Sequence, residues 1–167
     1  TGSEGYVVAV VGATGLVGRT MISILEERNF PVRTLLPLAA SAGGRSVSFR
    51  GAQVLVQEAT PDAFVGVDIA LFSAGADVSL KLAPEAAARG CAVVDNSSAW
   101  RMDPTVPLVV SQVNPDALSR HHGIIANPNC STMQLAPLLK ALQEEAGLRR
   151  GVVATYQAVS GAGAEAV

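Results

Sequence analysis

The stretch Tyr6-Val7-Val8-Ala9-Val10-Val11-Gly12-Ala13-Thr14-Gly15-Leu16-Val17-Gly18 decides the fold class. Six apolar residues in a row have strand length and suit a strand buried on both faces. The glycines after them stand at GxxGxxG spacing, a variant of the GxGxxG dinucleotide fingerprint. An amphipathic helix is predicted next, to about Arg28, with Val17, Met21, Ile24 and Leu25 on one face. In that order glycine lets the backbone turn sharply and approach a pyrophosphate. The helix N-terminus then supplies free N–H groups and a partial positive charge. The plainer alternative is a tight strand–helix turn that holds no ligand.

Moving outward, the pattern alternates. Strands are predicted at 32–36, 68–72, 92–95, 124–126 and 152–159. A short hairpin flanks Gly51, from Val47-Ser48-Phe49 and Val54-Leu55-Val56. A helix over 78–89 stops at Gly90, with Pro84 as a kink or a start. Another helix follows Cys130, with Met133, Leu138, Leu142 and Ala146 at helical spacing. Strands alternating with helices give an α/β fold: a Rossmann-like, doubly wound, mostly parallel sheet. The chain stops a few residues beyond the glycine-rich turn Ser160-Gly161-Ala162-Gly163, which predicts that it is the front part of a longer protein.

Composition agrees. Of 167 residues, 49% are hydrophobic and 16% charged, which suits buried parallel strands. The net charge of −2 argues against a nucleic-acid partner, which would need a basic face. No apolar run is long enough to span a membrane. No signal peptide is recognisable, so a cytoplasmic location is the default expectation. Neither Cys91 nor Cys130 belongs to a CxxC pair, so no metal site is expected.

The dinucleotide is read from the second strand onward. An Asp or Glu there would hold the ribose 2′-OH of NAD. No acidic residue occurs between Glu27 and Glu58, whereas Arg33, Arg45 and Arg50 do. Arginines beside a hydroxyl-bearing loop favour a 2′-phosphate, hence NADP. The alternative is that these arginines are solvated surface charges.

Cys130 follows Asn127-Pro128-Asn129 and directly precedes a helix that Ser131 or Thr132 could cap. The dipole of a helix start favours a thiolate, the nucleophilic form of cysteine. Asn129 offers an amide donor for a developing oxyanion. A polar Asn-Pro-Asn turn does not read as core, whereas Cys91, opening an apolar strand, reads as buried and structural. A second polar cluster is Asp95-Asn96-Ser97-Ser98-Ala99-Trp100-Arg101. It follows a buried strand at what should be the carboxyl end of the sheet, where α/β ligand sites lie. Arg101 could clamp a phosphate or carboxylate; equally, it could pair locally with Asp95. His121 and His122 stand beside Arg120 and read as solvated.

Together these motifs resemble the aspartate-semialdehyde dehydrogenase family of bacterial type. The matching pieces are 12–18, Ser73-Ala74-Gly75, 95–101, Val106-Pro107-Leu108-Val109-Val110, Asn127-Pro128-Asn129-Cys130-Ser131-Thr132, and Thr155-Tyr156-Gln157-Ala158-Val159-Ser160-Gly161-Ala162-Gly163. They run in the family's order over nearly the whole chain. The resemblance implies NADPH-dependent reductive dephosphorylation of L-aspartyl 4-phosphate to L-aspartate 4-semialdehyde, a step toward lysine, threonine and methionine. It implies Cys130 as the nucleophile that forms a thioester. Gly12 and Thr14, Gly15, Leu16 and Val17 would bind the cofactor phosphates. Ser73 and Gly75 would lie on the nicotinamide side. Arg101 and Asn96 would hold the substrate phosphate, Gln157 would position the acyl group, and Ser160 and Gly161 would contact the cofactor. Residues 4–129 would form the NADP-binding domain. Residues 130–167 would begin a second, α+β catalytic and dimerisation domain, in a homodimer or homotetramer.

Two departures stand out. Many members carry an arginine after the second strand that grips the 2′-phosphate. Here the loop reads Ala39-Ala40-Ser41-Ala42-Gly43-Gly44-Arg45, with Ser41 and Ala42 at the cofactor position and Arg45 displaced. The family's catalytic histidine and carboxylate-binding arginine lie in a later segment, so this chain alone is expected to be catalytically incomplete. Two other readings are an N-acetyl-glutamyl-phosphate reductase-like enzyme and a non-catalytic nucleotide-binding homologue. Asn129 argues against the first, whose cysteine usually follows Pro-Gly. Cys130, Arg101 and Gln157 together argue against the second.

Overall fold

In a computed structural model, which describes residues 4–157, β1 (Tyr6–Val11) is a central strand of a six-stranded sheet. The other strands are β2 (Val32–Ala39), β5 (Gln57–Glu58), β6 (Ile69–Phe72), β7 (Ala92–Asp95) and β8 (Ile124–Ala126). Their order is β5-β2-β1-β6-β7-β8, and every ladder is parallel. The order runs outward in both directions from β1, as in a doubly wound dinucleotide fold, with its switch point between β1 and β6.

The unbroken apolar run of β1 is explained by burial from both sides. Ala9 and Val11 pack with Phe64, Phe72, Leu82 and Ala83. Val8 and Val10 pack with Ile22, Leu35, Val47 and Phe49. Val8, Val10 and Val11 are fully buried, each worth about 1.5–3 kcal/mol relative to exposure. Helix α1 (Leu16–Glu27) covers one face through Gly18 and Ile22, and α2 (Ala76–Ala88) covers the other through Ser79, Leu82, Ala83 and Ala86.

The hairpin predicted around Gly51 is β3 (Ser46–Phe49) paired antiparallel with β4 (Ala52–Leu55). Its turn residues Arg50 and Gly51 both have positive φ, 49° and 76°, the conformation of a tight two-residue hairpin. Arg50 then donates to Val32 O and Phe30 O, both at 2.9 Å, and lies 5.0 Å from the centre of the Phe49 ring. Helix α2 starts at Ala76, two residues before the expected Val78, because Gly75 at φ 87° turns the chain straight into it. Pro84 neither starts nor ends this helix.

One expectation is corrected. The segment predicted as a strand over 152–159 has no regular structure in its described part, residues 152–157, and that part is exposed throughout. A strand needs a ladder partner for its N–H and C=O groups, and none of the described strands pairs with it. Helix α3 (Cys130–Ala146) forms as predicted, but no residue in it is fully buried, and Leu138 and Leu142 of its apolar stripe are 65% and 53% exposed. No helix among the described residues is long and apolar enough to cross a membrane.

Candidate active site

In a parallel sheet every strand ends on the same side, so four loops converge. They follow β1, β6, β7 and β8, four adjacent strands. They carry Gly12–Gly15, Ser73–Gly75, Asn96–Arg101 and Asn127–Cys130 in turn. Strands lie about 4.8 Å apart, so the turn after β1 and the cysteine loop after β8 are about 14 Å apart along the edge.

The glycine turn owes its shape to close contacts. Gly12 has φ 88°, and a side-chain carbon there would meet Ser73 O at 2.7 Å, so only glycine lets the β1 and β6 loops cross. A side-chain carbon at Gly18 would overlap Gly12 O, so α1 packs directly on the turn. Gly12 and Ala13 donate to Leu38 O at 2.9 and 3.1 Å, tying the turn to β2. Helix α1 has Gly15 as its N-cap, without a side-chain cap, and α2 has Gly75 in the same role. The first amides of both helices, including those of Leu16 and Val17, therefore have neither a helical nor a side-chain acceptor. Both helix starts border one cleft of about 730 Å³, lined by Gly12, Thr14, Gly15, Ser41, Ser73 and Gly75 among others. A cleft of backbone donors beside two helix N-termini fits the diphosphate of a dinucleotide.

Ser73 is held by its own strand neighbour: its amide and hydroxyl both donate to Val11 O, at 2.8 and 3.2 Å. Of the three arginines read as cofactor candidates, only Arg45 lines the cleft. Arg50 is spent on the hairpin, and Arg33 stands near the amino end of β2, away from the loops. Glu58 was missed as a cleft residue. The register Ala39↔Glu58 brings it beside the end of β2 from a strand that is distant in sequence. Its only sequence signal was a place just after the arginine-bearing segment.

Arg101 does not pair with Asp95; the local ion pair that the sequence allowed is not formed. Its Nε donates to Asn127 O at 2.8 Å and its Nη2 to Asn96 O at 3.1 Å. It thus bolts the β7 loop to the β8 loop, with its guanidinium beside the turn that carries Cys130. Asp95 is buried and accepts from Ser97 Oγ at 2.6 Å. Trp100 anchors the same loop, its Nε1 donating to the buried Ser79 Oγ at 2.9 Å.

The cap of α3 is corrected too. Neither Ser131 nor Thr132 caps it; Asn129 does, Oδ1 accepting from the Ser131 amide at 3.0 Å. That bond orients the Asn129 amide, and its Nδ2 donates to Gln157 Oε1 at 3.5 Å. Asn129, Cys130 and Gln157 are thereby brought together. Ser160 and Gly161 lie outside the described residues. Cys130 is exposed at the first position of the helix. Cys91 is the opposite case: burial, then the negative charge of Asp68, push its thiol from the ordinary 9.0 to about 12. As the folded value is raised, the buried neutral thiol favours the native state below pH 9, and that contribution is lost as pH climbs from 9 to about 12. A maleimide or iodoacetamide titration at pH 8 is therefore expected to modify Cys130 rapidly and leave Cys91 untouched until the protein unfolds. Peptide mapping of the label checks this.

His121 and His122 are exposed and precede β8, at the end of the sheet opposite Cys130. His121 Nδ1 accepts from the Gly123 amide at 3.1 Å. His122 lines a pocket that runs along residues 102–108 to Arg101, while Cys130 lies beyond the other end of β8.

The semialdehyde dehydrogenase NAD-binding domain matches residues 7–121, which include the glycine turn, the cleft and Arg101. The chain belongs to the semialdehyde dehydrogenase family. It is 56% identical over 165 residues to an aspartate-semialdehyde dehydrogenase of Bacillus subtilis, covering 98% of this chain and 48% of that one. The crystal structure of aspartate semialdehyde dehydrogenase II from Vibrio cholerae superposes with a TM-score of 0.91 at 47% identity, over 98% of this chain and 50% of that one. A Candida albicans aspartate semialdehyde dehydrogenase, solved with NADP, superposes with a TM-score of 0.70 at 31% identity, over 86% and 48% of the two chains. The chain spans about half the length of the curated relatives it matches. The family's nicotinamide-dinucleotide domain accounts for the β1–β6 cleft.

Proposed function

We propose that the full-length protein catalyses the NADPH-dependent reductive dephosphorylation of L-aspartyl 4-phosphate to L-aspartate 4-semialdehyde. The observation that carries this reading is the single edge that aligns an uncapped dinucleotide cleft, the Arg101 bolt and an exposed cysteine at a helix start. In this reading the amides of Thr14, Leu16 and Val17, the Gly15 backbone between them and the start of α2 hold the cofactor's diphosphate, and Ser73 and Gly75 border its nicotinamide end. Arg101, with Asn96, holds the substrate phosphate. Cys130 Sγ attacks the acyl carbon, the C–O bond to phosphate breaks, and inorganic phosphate leaves from a thioester. NADPH supplies the hydride that reduces the thioester carbonyl. The C–S bond then breaks, releasing aldehyde and the thiolate. Asn129 Nδ2 and Gln157 serve the acyl oxygen and its placement. The proton acceptor's role is not assigned to His121 or His122, which precede β8 whereas Cys130 follows it. Residues 4–129 serve as the dinucleotide domain and 130–167 as the start of a catalytic and dimerisation domain, in a cytoplasmic homodimer or homotetramer.

The test is the reverse reaction of the full-length protein. NADP⁺ reduction should require both L-aspartate 4-semialdehyde and inorganic phosphate. A requirement for N-acetyl-glutamate 5-semialdehyde instead would move the assignment to the related reductase. No turnover with either substrate would favour a non-catalytic nucleotide-binding role.

A further inference from the structure

We propose that Arg45 and Glu58 together set which dinucleotide the cleft accepts, Arg45 by holding a 2′-phosphate and Glu58 by accepting hydrogen bonds from an unphosphorylated ribose. The inference rests on the dinucleotide reading of the cleft and names the residues that decide its selectivity.

Both residues line the cleft at the carboxyl end of β2, where the adenosine ribose of a doubly wound fold lies. Arg45 reaches it although it follows β2 by six positions. Gly43 and Gly44, at φ 53° and 69°, fold the loop back on itself, and the guanidinium lies across it. Its Nη2 donates to Ser41 O and to Ser41 Oγ, its Nε to Ala42 O at 3.4 Å, and its Nη1 to Thr14 Oγ1 at 3.3 Å. The cation therefore sits between the β2 loop and the glycine turn. Two hydroxyls, Ser41 and Thr14, flank it, and together they make a donor cluster of the kind that binds phosphate.

Glu58 enters from the other side. It pairs in register with Ala39, the last residue of β2. That is where a dinucleotide fold places the acidic residue that takes the ribose hydroxyls, although here it comes from a neighbouring strand. Its carboxylate makes no ion pair among the described residues. A carboxylate there accepts from a 2′-OH and repels a 2′-phosphate. The third charge lining the cleft, Lys81, belongs to α2 on the far wall. Opposed charges at one ribose predict a cleft that takes both dinucleotides and whose preference shifts with either residue.

The experiment measures dissociation constants of NADPH and NADH by nucleotide fluorescence on the full-length protein and on Arg45→Ala and Glu58→Gln. Arg45→Ala is expected to weaken NADPH by about tenfold or more, as for loss of one or two charge-assisted bonds, and to change NADH less than about twofold. Glu58→Gln is expected to tighten NADPH and weaken NADH. A parallel loss of both nucleotides in Arg45→Ala would make Arg45 only a strap on its loop and overturn its role. Glu58→Gln, which breaks no side-chain bond in the structure, then tests the other half; an unchanged ratio there overturns it. Wild-type protein that binds neither nucleotide would instead remove the dinucleotide reading itself, and this inference with it.

Discussion

Cys130→Ala in the full-length protein is expected to lower kcat for aspartate-semialdehyde oxidation by about 10⁴–10⁶-fold, the scale seen when a covalent nucleophile is removed. NADPH affinity should stay unchanged, because the cleft is lined by the loops after β1, β2, β5 and β6 and does not include the cysteine turn. Stability should also hold: Cys130 is exposed, and the cap of α3 is made by Asn129, not by the thiol. Activity lost with binding and folding intact is what distinguishes a nucleophile from a structural residue. Cys91→Ala is the control. It removes a buried group and should cost stability, while leaving turnover nearly intact in the folded protein.

Arg101→Ala should produce the second largest effect, a fall in kcat/KM of about 10²–10⁴-fold, read chiefly as a raised KM for inorganic phosphate in the oxidative direction. Two losses combine. The phosphate loses its planar donor, and the carbonyls of Asn96 and Asn127 lose the group that joins their loops at 3.1 and 2.8 Å. Each charge-assisted bond of this kind is worth about 1.5–3 kcal/mol. Arg101→Lys keeps the charge but cannot span both carbonyls, so it should remain impaired by about tenfold or more. A phosphate KM that moves less than twofold in Arg101→Ala would remove Arg101 from the phosphate site and leave it a loop brace.

Much of this was legible in the sequence because its signals are local. The run Tyr6–Val11 followed by glycines dictates strand, turn and helix by itself, and its lack of alternation already implied cover on both faces. The partners of Arg101 were not legible, because Asn127 is 26 positions away and reaches it only through the parallel pairing of β7 with β8. Glu58 was overlooked for a like reason: it borders β2 through sheet register, not through sequence distance. The cap of α3 was misjudged by two or three residues because Asn129 combines an Asx-type bond with the last position of a Pro-containing turn, where Ser131 and Thr132 looked equally suited. The strand expected over 152–159 followed apolar composition alone, and composition does not supply a ladder partner.

The most direct test of the account mixes full-length protein with L-aspartyl 4-phosphate in the absence of NADPH. The account predicts a burst of one equivalent of inorganic phosphate per site. It also predicts an acid-stable acyl adduct, of the mass of an aspartyl group, on the peptide that contains Cys130. No burst, or an adduct on any residue other than Cys130, would contradict it.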